Sequence, residues 1–314
     1  MALPQRLDKL PNWSRNQANR WADYIELSCI KNDKIISIHD IMDHYTDEEP
    51  EEVDRGTSGH SSKFDKIYSD FEVCFELIRF RTQTLGKNYP FILVDNSTIQ
   101  LKQNLSKYNL FYIFLLLSSN LSFFDKSIGY KLTHAFEDIS SHILEQLSSP
   151  YSITHVFGTS RSDFSNYSGN LRTRITTLAK DLSGVTTKIF DSDKMYDVPA
   201  GDGGLDLVSY FPIDNMPFIP ISFGQCACSY DEWQDKQNSI KSDKWFTRIH
   251  NLAPYLQFSF LPFYVRRANG EFENTTVINT CVIDRHRIFK VAKNSVFKKF
   301  VRHPIYSIVE ELVN

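Results

Sequence analysis

Cysteine is scarce in this 314-residue chain: five, at positions 29, 74, 226, 228 and 281. An odd number with no recurring framework argues against a disulfide-stapled secreted domain and for a reducing compartment. Only Cys226-Ala227-Cys228 forms a close pair. No second pair at zinc spacing accompanies it, so both thiols read as small buried apolar groups. Long apolar runs are also missing. The longest, Leu110 to Phe124, is interrupted by Ser118, Ser119, Asn120 and Ser122. It is too short and polar for a bilayer and reads as a buried helix. Met1-Ala2-Leu3-Pro4-Gln5-Arg6 does not resemble a signal peptide. A cytoplasmic protein with no membrane partner is therefore expected. Neither a Gly-x-Ser-x-Gly elbow nor a local Cys/His pair occurs, which speaks against a serine or cysteine nucleophile. There is no Walker A loop, so any nucleotide-driven motion is expected from a partner ATPase or helicase.

What the chain does have is aromatic mass, with 24 Phe and 15 Tyr, and enough length for one large core or two smaller ones. A net charge of −3 does not announce a polyanion partner, but the charge is unevenly spread. Residues 43–54 hold seven acids, whereas residues 285–303 hold seven Lys/Arg and no acid. The second segment reads as a basic face or as a solvated basic helix.

The apolar pattern divides the chain. Residues 1–122 read as a mostly helical N-terminal domain for assembly, sensing or DNA contact, with helices over 12–31, 64–86 and 106–119 and a strand at Tyr89–Val94. Residues 46–62, acidic and then Gly/Ser-rich, read as an exposed mobile loop. Residues 123–314 read as an α/β domain with a central mixed sheet flanked by helices. Helices are expected at 126–147, 170–182 and 230–248, with a tail helix at 304–313. Strands are expected at 153–157, 186–190, 218–227, 257–265 and 276–283, with another at Asp206 and a turn at Asn269-Gly270.

Chemistry concentrates around Gly203-Gly204-Leu205-Asp206. The glycines serve either an ordinary tight turn or close approach to a phosphate. An unpaired carboxylate on an apolar strand is costly, so Asp206 is either a metal ligand or half of a buried ion pair. Asp202 reads as a cap or turn residue. Gln225, on the next strand, is either a ligand or a core amide. Lys236 follows on a helix, where taken alone it is a surface lysine, and neighbouring Trp233 reads as a packing anchor. A divalent metal, a positioned water and a cation near the reacting phosphate are what phosphodiester hydrolysis requires.

With Ala135-Phe136-Glu137 on the preceding helix, this order resembles the PD-(D/E)XK, or restriction-endonuclease-like, nucleases, especially those of bacterial defence and modification-dependent restriction. The resemblance covers roughly residues 123–290. It implies a restriction-endonuclease-like core with Glu137 as the helix acid and Asp206, on the second core strand, as central metal ligand. Gln225 takes the acid/glutamine position on the third strand. Ala227 stands where the family's lysine is expected, and Lys236 on the following helix replaces it. Mg²⁺ or Mn²⁺ would be held by Asp206, Gln225 and the backbone carbonyl of Cys226, with Glu137 direct or through water. Arg285, Arg287, Lys290 and Lys293 are candidate nucleic-acid contacts, with an Asp284–Arg ion pair as the plainer reading of the arginines.

The resulting expectation is a metal-dependent endonuclease acting on DNA, the effector subunit of an anti-phage or restriction system, with a homo-oligomer as one expected assembly. The alternative is an inactive nuclease fold serving as a DNA-binding or protein-interaction subunit.

Overall fold

The computed structural model describes residues 7, 14, 17–32, 34–48, 60–157, 166–197, 201 and 203–313. The chain forms two compact units. One is Met1–Leu132, Phe263–Asn274 and Phe300–Asn314, and the other is Thr133–Pro262 and Thr275–Lys299. Both are discontinuous in sequence, where the sequence reading places a single cut after residue 122. The expected mobile loop falls largely outside the described residues, which omit 49–59.

The first unit contains α1 (Ala18–Lys31), β1 (Ile35–Ser37), α2 (Ile38–Glu48), α3 (His60–Leu85), β2 (Phe91–Leu93), β3 (Thr98–Leu101) and α4 (Lys107–Ser118). The strands form an antiparallel sheet in the order β1-β3-β2. Helix α4 is apolar all round and buried along almost its whole length, as expected of a core helix. Its start is fixed by a capping box: Ser106 Oγ accepts the Asn109 N–H, and the Asn109 side-chain oxygen accepts the Ser106 N–H. The segment 263–274 adds a tight reversal in which Arg266 pairs with Phe272, so the expected Asn269-Gly270 turn is present. Its two arms belong to the first unit, and the strands expected on either side, 257–265 and 276–283, are present in shorter form as Leu256–Phe260 and Cys281–Ile283.

At the centre of this unit lies a polar knot. Arg81 is fully buried and contacts Asp23 Oδ1 and Glu26 Oε1, each at 2.7 Å. Glu26 also accepts the hydroxyls of Tyr89 at 2.6 Å and Tyr112 at 2.7 Å. Tyr264 places its ring against the guanidinium, 4.7 Å from its centroid. Although burial opposes the charge, Glu26, Tyr112, Asp23 and Tyr89 hold the Arg81 pKa well above its ordinary value.

The second unit takes most of α5 (Lys126–Leu147) and then β4 (Ile153–Val156), α6 (Leu171–Asp181), β5 (Val185–Thr186) and α7 (Lys188–Ser192). There follow β6 (Leu207–Tyr210), β7 (Ile221–Cys226), α8 (Trp233–Lys236), α9 (Ser242–Phe246), β8 (Ile249–His250), β9 (Leu256–Phe260), β10 (Cys281–Ile283), α10 (Arg285–Val291) and the first two-thirds of α11 (Asn294–Arg302). Five strands form a mixed sheet in the order β10-β9-β7-β6-β4. Strands β4, β6 and β7 are antiparallel neighbours, while β7, β9 and β10 run parallel. The architecture is α/β: a mixed central sheet flanked by helices, with a helical N-terminal region. Phe157, Tyr167, Phe190, Phe223, Trp245 and Tyr255 supply much of the aromatic mass of its core.

Two expected elements differ. The segment 186–190 is not one strand, because the Thr187 hydroxyl accepts the Phe190 N–H and starts α7. The segment 230–248 is not one helix but α8, a 3-10 turn over Gln237–Ile240, and α9. Among the described residues no helix is long and apolar enough to cross a membrane.

Candidate functional site

Asp206 is set by its backbone before its side chain does anything. Gly203 and Gly204 turn the chain at φ +65° and +81°, where a side chain is strained. A Cβ at Gly204 would run into the Ser239 side chain, and one at Gly203 would lie 2.9 Å from Arg248 Nη1. The glycines therefore permit a close-packed turn, the plainer of the two sequence readings. Beyond the turn, the Asp206 N–H donates to Gly224 O at 3.1 Å and its carbonyl accepts the Phe157 N–H at 2.6 Å. The residue thus extends the ladder one position ahead of β6, opposite Gln225.

Asp206 is 3% exposed. Asp206 Oδ2 accepts the Gln225 side-chain N–H at 2.5 Å and the Cys226 backbone N–H at 2.6 Å. Burial of this carboxylate is thus offset by neutral donors. The other end of the Gln225 amide, Oε1, is buried without a hydrogen-bond partner. A buried, unpartnered amide oxygen beside a carboxylate is a hard-oxygen pair of the sort divalent cations take.

Three further groups converge here. The Cys226 thiol is held well above its ordinary pKa, first by burial and then by the negative charges of Asp206 and Glu137. Cys228 is raised in the same way, by burial and then by Glu137, with Lys236 opposing and Asp206 adding. Burial pulls the Lys236 ammonium down, but its hydrogen bond to Glu232 and the charges of Glu232, Asp206 and Cys228 outweigh that and leave it raised. The charges of Glu137 on α5 and Asp206 before β6 are thus felt at both thiols, and that of Lys236 at the end of α8 is felt at Cys228. Both are free cysteines; Cys226 is buried as expected, whereas Cys228 is half-buried. Among the described residues no three His, Cys, Asp or Glu side chains form a metal-ligand group.

Lys236 pairs with Glu232 at 3.1 Å, one helical turn earlier, and the lysine side chain keeps 39% of its surface exposed. Glu232 was missed by sequence reasoning, although its i, i+4 spacing to Lys236 was the available signal. Gln237 was missed too. It is fully buried, donates to Val277 O at 3.0 Å, and its Oε1 accepts the Asn279 N–H at 3.1 Å and the Thr280 hydroxyl at 2.9 Å. Thr280 Oγ1 in turn accepts the hydroxyl of Ser259, the residue beside Gln225 on β9, at 2.8 Å. These bonds tie the end of α8 to the sheet. Trp233 is buried, in keeping with packing, and Ala227 is 1% exposed with its N–H on Phe260 O. Asp202 lies outside the described residues.

The basic segment needs correction. Arg285 is fully buried and donates from Nε to Pro262 O at 2.6 Å, so it cannot reach a phosphate. Arg287 is half-buried and donates to Val282 O at 2.7 Å. Both close the end of β10, where Asp284 caps α10 by accepting the Arg287 N–H. Lys290 and Lys293 are exposed.

The chain matches no family model, no curated protein and no solved structure.

Proposed function

We propose that the second unit is a metal-dependent nuclease of restriction-endonuclease-like type, hydrolysing phosphodiester bonds of DNA as the effector of an anti-phage or restriction system. One observation carries the reading. Asp206 and Gln225 face one another across adjacent strands at one end of the sheet, joined by a hydrogen bond, and the charges of Asp206, Glu137 and Lys236 are felt at the Cys228 thiol beyond β7. Asp206 leads into the second strand counted from β4, and Gln225 lies on the third. That is the placement the resemblance implies.

The residues suit a hard divalent cation. Asp206, Gln225 Oε1 and the Cys226 carbonyl would hold Mg²⁺ or Mn²⁺, with Glu137 beside them. When bound, the ion would neutralise charge developing on the phosphate. The chain's own residues do the rest. Gln225 and the Cys226 N–H fix the Asp206 carboxylate against rotation. Lys236, kept cationic by Glu232 and Asp206, places positive charge where a phosphate oxygen approaches. Because its pKa is raised, it acts as a cation and not as a proton acceptor near neutral pH.

The second reading is an inactive nuclease fold that binds DNA or a protein partner. It is favoured by Ala227 at the family's lysine position and by the pairing of Lys236 with Glu232. Incubating the protein with supercoiled plasmid in Mg²⁺, Mn²⁺ or EDTA separates the two. Metal-dependent nicking or linearisation supports the nuclease. Intact plasmid with DNA retained on the protein supports the second reading.

A further inference from the structure

Strand β10 runs parallel to β9, and β9 to β7, so the chain enters α10 at the same end of the sheet where Gln225 and Cys226 finish β7. Strand β10 stands two places from β7, roughly 10 Å at the usual interstrand spacing. Helix α10 extends about 10 Å further. Over residues 290–299 exposed charge has one sign. Lys290, Lys293, Lys298 and Lys299 are exposed, and among the described residues no carboxylate pairs with any of them. Ordinary solvated surfaces intersperse both signs, whereas residues 285–303 contain no acid.

The α11 apolar side is already used. Val296 and Phe297 are buried, and the Phe297 ring packs 6.2 Å from that of Phe289. A helix whose apolar side is packed in protein cannot lay that side into a lipid interface. The exposed ammonium groups therefore suit a polyanion with repeated, solvated phosphates.

We infer that Lys290, Lys293, Lys298 and Lys299 form a docking face for the phosphate backbone of duplex DNA, which leads the strand toward the Asp206 end of the sheet. The face grips phosphates and reads no bases, so it sets affinity and orientation without sequence preference. Its orientation rests on the nuclease reading, whereas the binding does not require cleavage.

The test is fluorescence anisotropy with a labelled 30-base-pair duplex in EDTA, between 50 and 200 mM KCl. The quadruple Lys→Gln variant at these positions should lower the slope of log K against log salt by roughly 3 to 4. The corresponding Lys→Arg variant should keep the wild-type slope, which separates charge from misfolding. A control quadruple Lys→Gln variant at Lys66, Lys87, Lys126 and Lys131, all exposed, should also keep it. An unchanged slope in the first variant, or an equal fall in the control, overturns the inference. So does tighter binding to duplex RNA, or binding to phosphatidylserine vesicles but not to the duplex. Loss of slope in a protein that cuts no plasmid retains the docking face and removes the nuclease, whereas cutting with an unchanged slope does the reverse.

Discussion

Gln225 donates its side-chain amide to Asp206 Oδ2 at 2.5 Å, joining facing positions on two adjacent antiparallel strands. The bond holds a buried carboxylate with a neutral group and leaves the amide oxygen buried and unpartnered. Gln225→Glu replaces that donor with a second carboxylate. In EDTA at pH 8 the variant should lose about 1.5–3 kcal/mol, the range for a hydrogen bond to a charged group. Repulsion raises the folded-state pKa of the pair, so the deficit is present above that pKa and shrinks as pH falls toward 5. Mg²⁺ should raise the melting temperature of the variant more than that of wild type. Equal shifts in thermal melts would contradict metal binding between these two side chains.

Lys236 has a raised folded-state pKa, so its ionic contribution is fully present below the ordinary value of 10.5 and is lost only above it. The ratio of wild-type to Lys236→Ala cleavage rates should therefore stay constant from pH 6 to 9, and Lys236→Arg should retain much of the activity. A ratio that instead follows an apparent pKa between 7 and 8 would make the lysine a neutral base.

The turn before Asp206 needs glycine for packing. Gly204→Ala places a methyl group on the Ser239 side chain at a positive φ. It should cost roughly 1–3 kcal/mol in urea unfolding, the usual range for overpacking. Unaltered stability would return this glycine to the phosphate-approach reading.

In the first unit, Arg81→Ala strips the cation from buried Asp23 and Glu26. Breaking a buried pair from one side costs about 3–5 kcal/mol. A urea midpoint near that of wild type would show that the knot tolerates the loss by admitting water.

Much of this was legible in the chain. Helix α5 occupies 126–147 as its apolar periodicity indicates, and Asn170 caps α6 with its side chain on the Thr173 N–H. Asp206 and Gln225 stood out because polar side chains in apolar strands must find partners. What was not legible depended on distant contacts. Arg285 looked like a surface cation because its partner, the carbonyl of Pro262, lies 23 residues away. The break between α8 and α9 depends on tertiary anchors, including Gln237 held by residues 277–280 and Trp245 donating to Ser239 O. Short elements such as α7 are set by one hydroxyl cap against an apolar stretch that fits a strand equally well.

The most direct measurement is the rate of Mg²⁺-dependent plasmid cleavage by wild type, Asp206→Ala and Lys236→Ala, each purified in parallel and shown to be folded. Wild type should cut, and each variant should be slower by roughly 10²-fold or more, as when one preorganised electrostatic group is removed from an active site. Cleavage undiminished in both variants would contradict the site built on Asp206 and Lys236.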